Sequence, residues 1–216
     1  MKKAAVGLCA AVAVLALASP AQAQICAGFP SVDRGFYFGG RVDFPDDFDS
    51  FGVEANYNAA GPLSVYGGVN VLSGEGDDDE SENEFVAGVA FETASLGMMI
   101  GPRVSVCPVV ELSYLNIGDD TGDVTFMTIP IGLGIGASLG VPGIGLSGYV
   151  QPQFVISRAE FDTPLLDDTE TETDFGIKAG VFAKFSMISV GGEVRHIFIE
   201  DGPDPVFGIR VGIAVP

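Results

Sequence analysis

The residues best able to do chemistry in this chain are one histidine, three cysteines and two dense runs of carboxylates. His196 follows Arg195, and position 194 is valine, so the Asp-x-His arrangement that could orient a histidine base is absent. A serine–histidine pair would need a proximity that the spacing does not establish. We therefore predict that the chain is not an enzyme and holds no cofactor.

Two acidic runs could bind a hard divalent cation through carboxylate oxygens. Neither has the alternating aspartates, glycine and terminal glutamate of an EF-hand loop, and such runs are more often hydrated surface loops. Weak Ca²⁺ or Mg²⁺ sites and simple solvated loops are thus both open interpretations. The candidate ligands are Asp77, Asp78, Asp79 and Glu80 in the first run and Asp167 and Asp168 in the second.

Residues 1–23 have the features of a secretory signal peptide. Lys2 and Lys3 precede an uncharged apolar run from Ala4 to Ala18, and Ala21-Gln22-Ala23 is a small-x-small cleavage site. The apolar run is shorter than the roughly 20 residues that a transmembrane helix needs. We predict an exported chain that begins at Gln24.

The cysteines then reduce to a single pair. Cys9 lies in the signal peptide, so only Cys26 and Cys107 enter the oxidising compartment. An even count in an exported protein predicts one disulfide between them, and two free thiols are the alternative.

Composition excludes two classes of protein. The chain has 29 acidic and 10 basic residues, a net charge of -19, and no basic cluster beyond Lys2 and Lys3, which argues against a nucleic-acid partner. Hydrophobic residues make up 47% of the chain, which is too many for a disordered protein. Because the mean hydropathy is nevertheless +0.38, the acidic and the apolar residues must occupy different segments.

From Gly35 onward the chain alternates apolar and small or polar residues, the period of β-strands. The clearest case is residues 131–140, where aliphatic residues alternate mainly with glycine. Residues 124–157 carry no charge and would pass for a membrane helix by hydropathy. Pro130, Pro142 and Pro152, with many glycines, exclude a helix there.

The same rule predicts ten strands, or eight if one hairpin near residues 91–107 is misread. The predicted strands are Gly35–Phe44, Ser50–Ala59, Leu63–Ser73, Glu84–Leu96, Val109–Ile117, Val124–Leu139, Gly145–Phe161, Asp174–Phe185, Ile188–Glu200 and Val206–Val215.

The connections alternate between two kinds. Residues 45–49, 74–84, 118–123, 162–174 and 200–205 hold 22 of the 29 carboxylates and no Lys or Arg. The other connections are short and nearly uncharged. Successive turns of an up-and-down meander fall on opposite ends, so we predict one acidic rim and one rim of short turns.

The two faces of the strands differ in chemistry. One face is a continuous series of Phe, Ile and Val, and the other carries Gly, Ser, Asn, Gln and isolated charges. A water-exposed wall would instead be rich in Lys, Glu and Thr. We therefore predict an all-β, closed antiparallel up-and-down transmembrane barrel with apolar residues outside and polar residues inside. A soluble exported ligand-binding barrel, with the apolar face inward, is the alternative.

The inward-facing positions collect charges of both signs. A salt-bridged interior is the interpretation that a narrow barrel favours, because its lumen is largely filled by side chains. A selectivity ring in a narrow channel for small solutes is the alternative. The predicted lumen charges are Arg41, Asp43, Glu54, Glu92, Glu111, Lys178, Lys184, Glu193, Arg195 and Arg210.

The signal peptide, the alternating strands and the alternating connections together resemble the bacterial outer-membrane β-barrel proteins, in particular the small OmpA/OmpX-like barrels. The resemblance implies a signal peptide (1–23), a periplasmic N-terminal segment (24–34) and a barrel (35–216). It also implies extracellular acidic loops, outer-membrane lipid and the barrel-assembly machinery as partners, and a structural, envelope or surface-interaction role. The short turns would face the periplasm, which would place the Cys26–Cys107 disulfide on the periplasmic rim. The last strand matches the C-terminal assembly signal of such barrels, but it ends in Ala-Val-Pro and not in an aromatic residue.

Overall fold

The computed structural model describes residues 23–30, 35–45, 48–58, 62–74, 81–97, 103–119, 122–141, 143–163, 166–199, 202 and 204–215. Within these residues the chain forms one helical turn and eleven strands. The elements are α1 (Ala23–Cys26), β1 (Gly35–Phe44), β2 (Phe48–Asn58), β3 (Leu63–Gly74), β4 (Ser81–Phe91), β5 (Ala94–Gly97), β6 (Arg103–Asp119), β7 (Gly122–Val141), β8 (Ile144–Thr163), β9 (Leu166–Phe185), β10 (Ile188–Phe198) and β11 (Val206–Val215).

The strands form a closed antiparallel ten-stranded barrel, as predicted, because β4 and β5 together occupy one strand position in the ring. Neighbours in sequence pair with each other, β11 pairs with β1, and β4 pairs directly with β6. The short strand β5 continues the line of β4 along β6 after a break at Glu92 and Thr93. The Thr93 N–H donates to the Val106 carbonyl at 2.9 Å, which carries the pairing across the break. Closure leaves no sheet edge unpaired around the ring.

Two predicted connections are wrong because strands run further than the apolar pattern does. Strand β6 begins at Arg103, so most of the turn expected before Val109 is strand. Strands β8 and β9 continue to Thr163 and from Leu166, so the acidic segment 162–174 lies mainly in a long hairpin. Alternating threonines in this segment favour an extended backbone, and its charges stand on the other face.

The order of the strands places alternate connections at opposite ends of the barrel. The β1–β2, β3–β4, β6–β7, β8–β9 and β10–β11 connections all leave from one end. These connections lie in the five acidic segments of the sequence, so we call this the acidic end. The β2–β3, β5–β6, β7–β8 and β9–β10 connections leave from the other end, which we call the short-turn end.

The predicted direction of the two faces is confirmed. Outward-facing Phe51, Phe154 and Val181 expose 56%, 62% and 69% of their surface. Inward-facing polar side chains such as Asn56 and Gln151 are almost wholly buried. The interior of this barrel is therefore largely polar apart from two hydrophobic clusters around residues 25–29, and most large apolar side chains of the strands face outward.

Large inward-facing side chains lie over glycines of neighbouring strands. The Tyr66 ring covers Gly88, and a Cβ there would stand 2.7 Å from Tyr66 Cε2. The Tyr149 ring covers Gly180 in the same way, with Cε1 at 2.7 Å. Glycine at these positions gives the rings room to lie along the wall, which accounts for part of the glycine content.

No helix among the described residues is long and apolar enough to cross a membrane.

Candidate functional site

Eight charged side chains from six strands meet inside the barrel, and we call them the charge belt. Four are positive and four are negative, so the belt is neutral as a whole. Its members are Arg41 and Asp43 of β1, Glu54 of β2, Glu111 of β6, Lys178 of β9, Glu193 and Arg195 of β10, and Arg210 of β11.

Glu193 is the centre of the belt. Arg210 Nη2 donates to Glu193 Oε1 at 3.1 Å, and Arg41 Nη2 and Lys178 Nζ lie 3.8 and 3.9 Å from the same oxygen. The hydroxyl of Tyr149 donates to the other carboxylate oxygen. A buried charge without partners would cost several kcal/mol, so three cations around one carboxylate make this burial tolerable.

The other carboxylates of the belt have their own cations. Asp43 Oδ2 lies 2.6 Å from Arg41 Nε and accepts from Arg195 Nη2 at 3.0 Å. Glu54 lies 3.5 Å from Arg210 Nη1. These pairs link β2, β1, β11 and β10, four consecutive strands on one side of the ring.

Glu111 joins the belt from the far wall. Its Oε2 accepts a hydrogen bond from the Tyr66 hydroxyl at 2.9 Å and lies 3.7 Å from Lys178 Nζ. Lys178 therefore stands between Glu111 and Glu193 and connects the two halves of the belt.

Two predicted lumen charges lie outside the belt. Glu92 is buried at the break between β4 and β5, where it accepts a hydrogen bond from the Ser105 hydroxyl at 2.8 Å. Lys184 is half-buried on β9, next to its last residue, Phe185.

The N-terminal segment lies inside the lumen, and we call residues 25–30 the plug. Ile25, Cys26, Ala27 and Phe29 are each no more than 3% exposed. Cys26 forms the predicted disulfide with Cys107, with 5.8 Å between the Cα atoms. The predicted position of this disulfide on the rim is wrong: both cysteines have no exposed surface. Because β6 begins four residues before Cys107, that side chain points into the barrel from the wall.

Phe29 anchors the plug against the wall. Its ring lies 5.7 Å from the Tyr37 ring and 5.0 Å from the Tyr66 ring, and the Arg210 guanidinium lies 5.4 Å from its centre. Aromatic and cation–π contacts of this kind contribute beyond the burial of area alone.

The plug turns at Gly28, a position that requires glycine. Its φ of +83° is in the left-handed region, and an added Cβ would stand 2.7 Å from the Tyr149 hydroxyl oxygen. The Gly28 N–H donates to the Ile25 carbonyl at 3.1 Å, and the Gly28 carbonyl accepts from Arg210 Nη1 at 2.8 Å.

The positions of β7 beneath the plug are glycines. A Cβ at Gly134 would stand 2.8 Å from Cys26 Cβ, and one at Gly136 would stand 2.6 Å from Ile25 Cγ2. Beside the plug, a cavity of about 20 Å³ is lined by Phe29, Glu54 and Arg210 among others. That volume holds about one water molecule.

The remaining sequence candidates that the structure describes are not brought together into one site. His196 packs on Phe198, with ring centres 4.5 Å apart, and its neighbours on β10, not His196, point into the lumen. Asp168 is exposed and accepts a hydrogen bond from the Thr169 N–H at 2.8 Å, while Asp77, Asp78, Asp79 and Glu80 and the Asp167 side chain lie outside the described residues. Within the part of the chain that the structure describes, no three His, Cys, Asp or Glu residues are grouped to hold a metal.

Sequence reasoning missed the aromatic part of the site. Tyr37, Tyr66 and Tyr149 face inward and contact the plug or the belt. Each lies two or four residues from an inward-facing polar residue of the same strand, such as Arg41 or Gln151. Residues separated by an even number on a strand share a face, so this spacing could have identified them. Nothing in the sequence indicated that Phe29 enters the barrel.

Comparisons with known proteins identify no family. No family model matches the chain, and no curated protein matches it. A solved structure from work on the in-meso crystallization of membrane proteins aligns at 11% identity and a TM-score of 0.29, covering 82% of this chain and 83% of that one. OmpT, an outer membrane protein of Vibrio cholerae in its trimer form, aligns at 10% identity and a TM-score of 0.18, covering 82% of this chain and 98% of that one. Neither TM-score is high enough to identify a relative.

Proposed function

We propose that this chain is an integral outer-membrane β-barrel protein with acidic extracellular loops, a closed lumen and a structural or surface-interaction role without catalysis. The single observation that carries the proposal is the apolar outer wall. Outward-facing Phe, Ile, Leu and Val side chains that are 36–69% exposed occur at all ten strand positions of the barrel.

A wall of this kind suits hydrocarbon and not water. Monomeric soluble proteins seldom expose a continuous apolar patch larger than a few hundred Å². Strands β1, β2, β3, β4, β10 and β11 are 10–12 residues long, close to the roughly 9–11 residues that cross a bilayer when tilted.

The edge of the apolar band is visible on the long hairpin. Phe154, Phe175 and Phe198 lie side by side on β8, β9 and β10, with successive ring centres 5.9 and 5.8 Å apart. Beyond them toward the acidic end, the outer face of β8 carries the exposed ion pair Arg158–Glu160. Membrane barrels carry aromatic residues at the membrane–water interface and charged residues beyond it. In this chain phenylalanine takes the place of tryptophan in the aromatic row.

The lumen favours a closed barrel over the two alternatives. A soluble ligand-binding barrel would need an apolar interior pocket, whereas this interior holds the charge belt and the plug. A narrow channel for small solutes would need a continuous passage, and the belt and the plug occupy the lumen.

The orientation is the one that the resemblance to outer-membrane barrels implies. Acidic connections at one end suit the hydrated exterior, with the short turns toward the periplasm and the barrel-assembly machinery inserting the chain from that side. Such loops would present a negative surface to cationic partners or to divalent ions between lipid headgroups.

Cell fractionation combined with a heat-modifiability gel tests the proposal. We expect the protein in the outer-membrane fraction, extracted only by detergent, with a band that changes mobility after boiling. Recovery of a folded, detergent-free protein from the periplasm would overturn the proposal and favour the soluble barrel.

A further inference from the structure

Beyond the structural role above, we propose that residues 25–30 are a removable closure of an ion-conducting lumen, which the Cys26–Cys107 disulfide keeps shut. The lumen conducts when the plug leaves, and it is silent while the plug is fastened.

The plug is not part of the wall. Every long strand pairs with a neighbour on both sides, so the closed ring needs no backbone bond from the plug. The Gly28 N–H is bonded within the plug, to the Ile25 carbonyl. Withdrawal of the plug therefore breaks no strand ladder.

The plug fills volume that the wall leaves empty. The inward positions of β7 beneath it are Gly134 and Gly136, whose missing side chains are replaced by Cys26 and Ile25. An eight-stranded barrel is just filled by its own side chains, and a ten-stranded barrel is wider. Without the plug, no side chain of β7 itself covers the wall at Gly134 and Gly136.

The surface that would be uncovered is hydrophilic. Ser105, Gln151 and Gln153 are inward-facing and buried, and the charge belt lies in the same lumen. The belt is neutral, so it repels neither sign of ion outright. The carboxylates of the acidic end bias entry toward cations.

The disulfide is the covalent contact of the plug, and noncovalent contacts accompany it. The Arg210 guanidinium lies over the Phe29 ring, and Ile25 is buried with Tyr149 and Phe182. Arg210 donates to the Gly28 carbonyl, and Phe29 packs on Tyr37 and Tyr66. These contacts can break and re-form with thermal motion, whereas the disulfide cannot. Because both cysteines are fully buried, a dissolved thiol does not reach the bond while the plug is seated.

Planar-bilayer recording in KCl tests this closure with four proteins, each first shown to be folded by heat-modifiability. They are the wild type, the deletion of residues 25–30, the double variant C26S/C107S, and the matched control Thr171→Ala on the exposed hairpin. We expect silence from the wild type and the control, long-lived conductance steps from the deletion, and brief intermittent steps from C26S/C107S. In a KCl gradient, the reversal potential of the deletion variant should indicate cation preference.

A folded deletion variant that inserts but stays silent would overturn the proposal, because the belt alone would then close the lumen. Wild-type steps equal to those of the deletion would also overturn it. Protein that stays soluble and never inserts would instead contradict the proposed membrane function, so the two failures are distinguishable.

A second measurement applies even where the deletion does not fold. In the variant Cys107→Ser, Cys26 keeps a free thiol that a membrane-impermeant maleimide can label only when the plug is displaced. We expect the folded barrel to become labelled, more slowly than the unfolded chain because the plug is displaced only part of the time. A Cys26 thiol that stays protected in the folded barrel would show that the plug is held without the disulfide, against the proposal.

Discussion

Arg210 donates one guanidinium hydrogen bond to the Gly28 carbonyl at 2.8 Å and another to Glu193 at 3.1 Å. One side chain of the wall thus joins the plug to the centre of the charge belt. This relationship makes the plug and the belt a single unit inside the barrel, and it identifies the first residue to vary.

Arg210→Met should destabilise the folded barrel by about 3–5 kcal/mol, because it leaves Glu193 and Glu54 short of a buried cation. The change in the urea midpoint of refolded protein in lipid vesicles measures the loss. The matched control is Arg158→Met, which breaks an exposed pair with Glu160 and should cost about 1 kcal/mol or less. Equal losses for the two variants would contradict a belt that contributes to stability.

Tyr149→Phe should cost about 1–3 kcal/mol, because Glu193 loses a buried hydrogen-bond donor while the ring stays in place. Tyr57→Phe is the control, since Tyr57 is on the outer wall and 45% exposed. The free energies of unfolding of both variants, measured in the same vesicles, decide the matter. A loss of stability in Tyr57→Phe but not in Tyr149→Phe would contradict a stabilising hydrogen bond between Tyr149 and Glu193.

Val181→Arg should cost about 2–4 kcal/mol if the outer wall meets hydrocarbon, as arginine does near the middle of a membrane barrel. Val181 is 69% exposed, so a water-facing wall would accept arginine at almost no cost. Thr171→Arg, on the hairpin beyond the apolar band, should be nearly neutral. Folding yield and stability in vesicles provide the comparison, and two neutral variants would argue for a soluble barrel.

Gly134→Val should prevent the plug from seating, because even a Cβ at this position would stand 2.8 Å from Cys26 Cβ. We expect a larger fraction of free thiol, measured by maleimide labelling on a non-reducing gel. Gly40→Ala is the matched control, since the nearest atom to its added Cβ is 3.8 Å away. Complete disulfide formation in Gly134→Val would show that the plug does not depend on the bare wall of β7.

Much of the barrel could be predicted from residue alternation. Apolar and small residues at period two determine which side chain of each strand faces outward and which faces the lumen, and the turn residues between them determine the number of strands in the ring. For that reason the inward direction of Arg41, Lys178 and Glu193 was predictable from the sequence alone. The strand boundaries were less so, since the charged hairpin of β8 and β9 pairs as well as an apolar one.

The sequence by itself therefore determined the barrel and the chemistry of its two faces, and it favoured a disulfide between Cys26 and Cys107 over two free thiols. Only the tertiary structure decided that this disulfide lies inside the lumen, that the plug fills the space over Gly134 and Gly136, and that Arg210 connects the plug to Glu193. The physical reason is that alternation is local to a strand. Contacts across the lumen instead depend on how the ring closes, and no local pattern in residues 25–30 records which wall they meet.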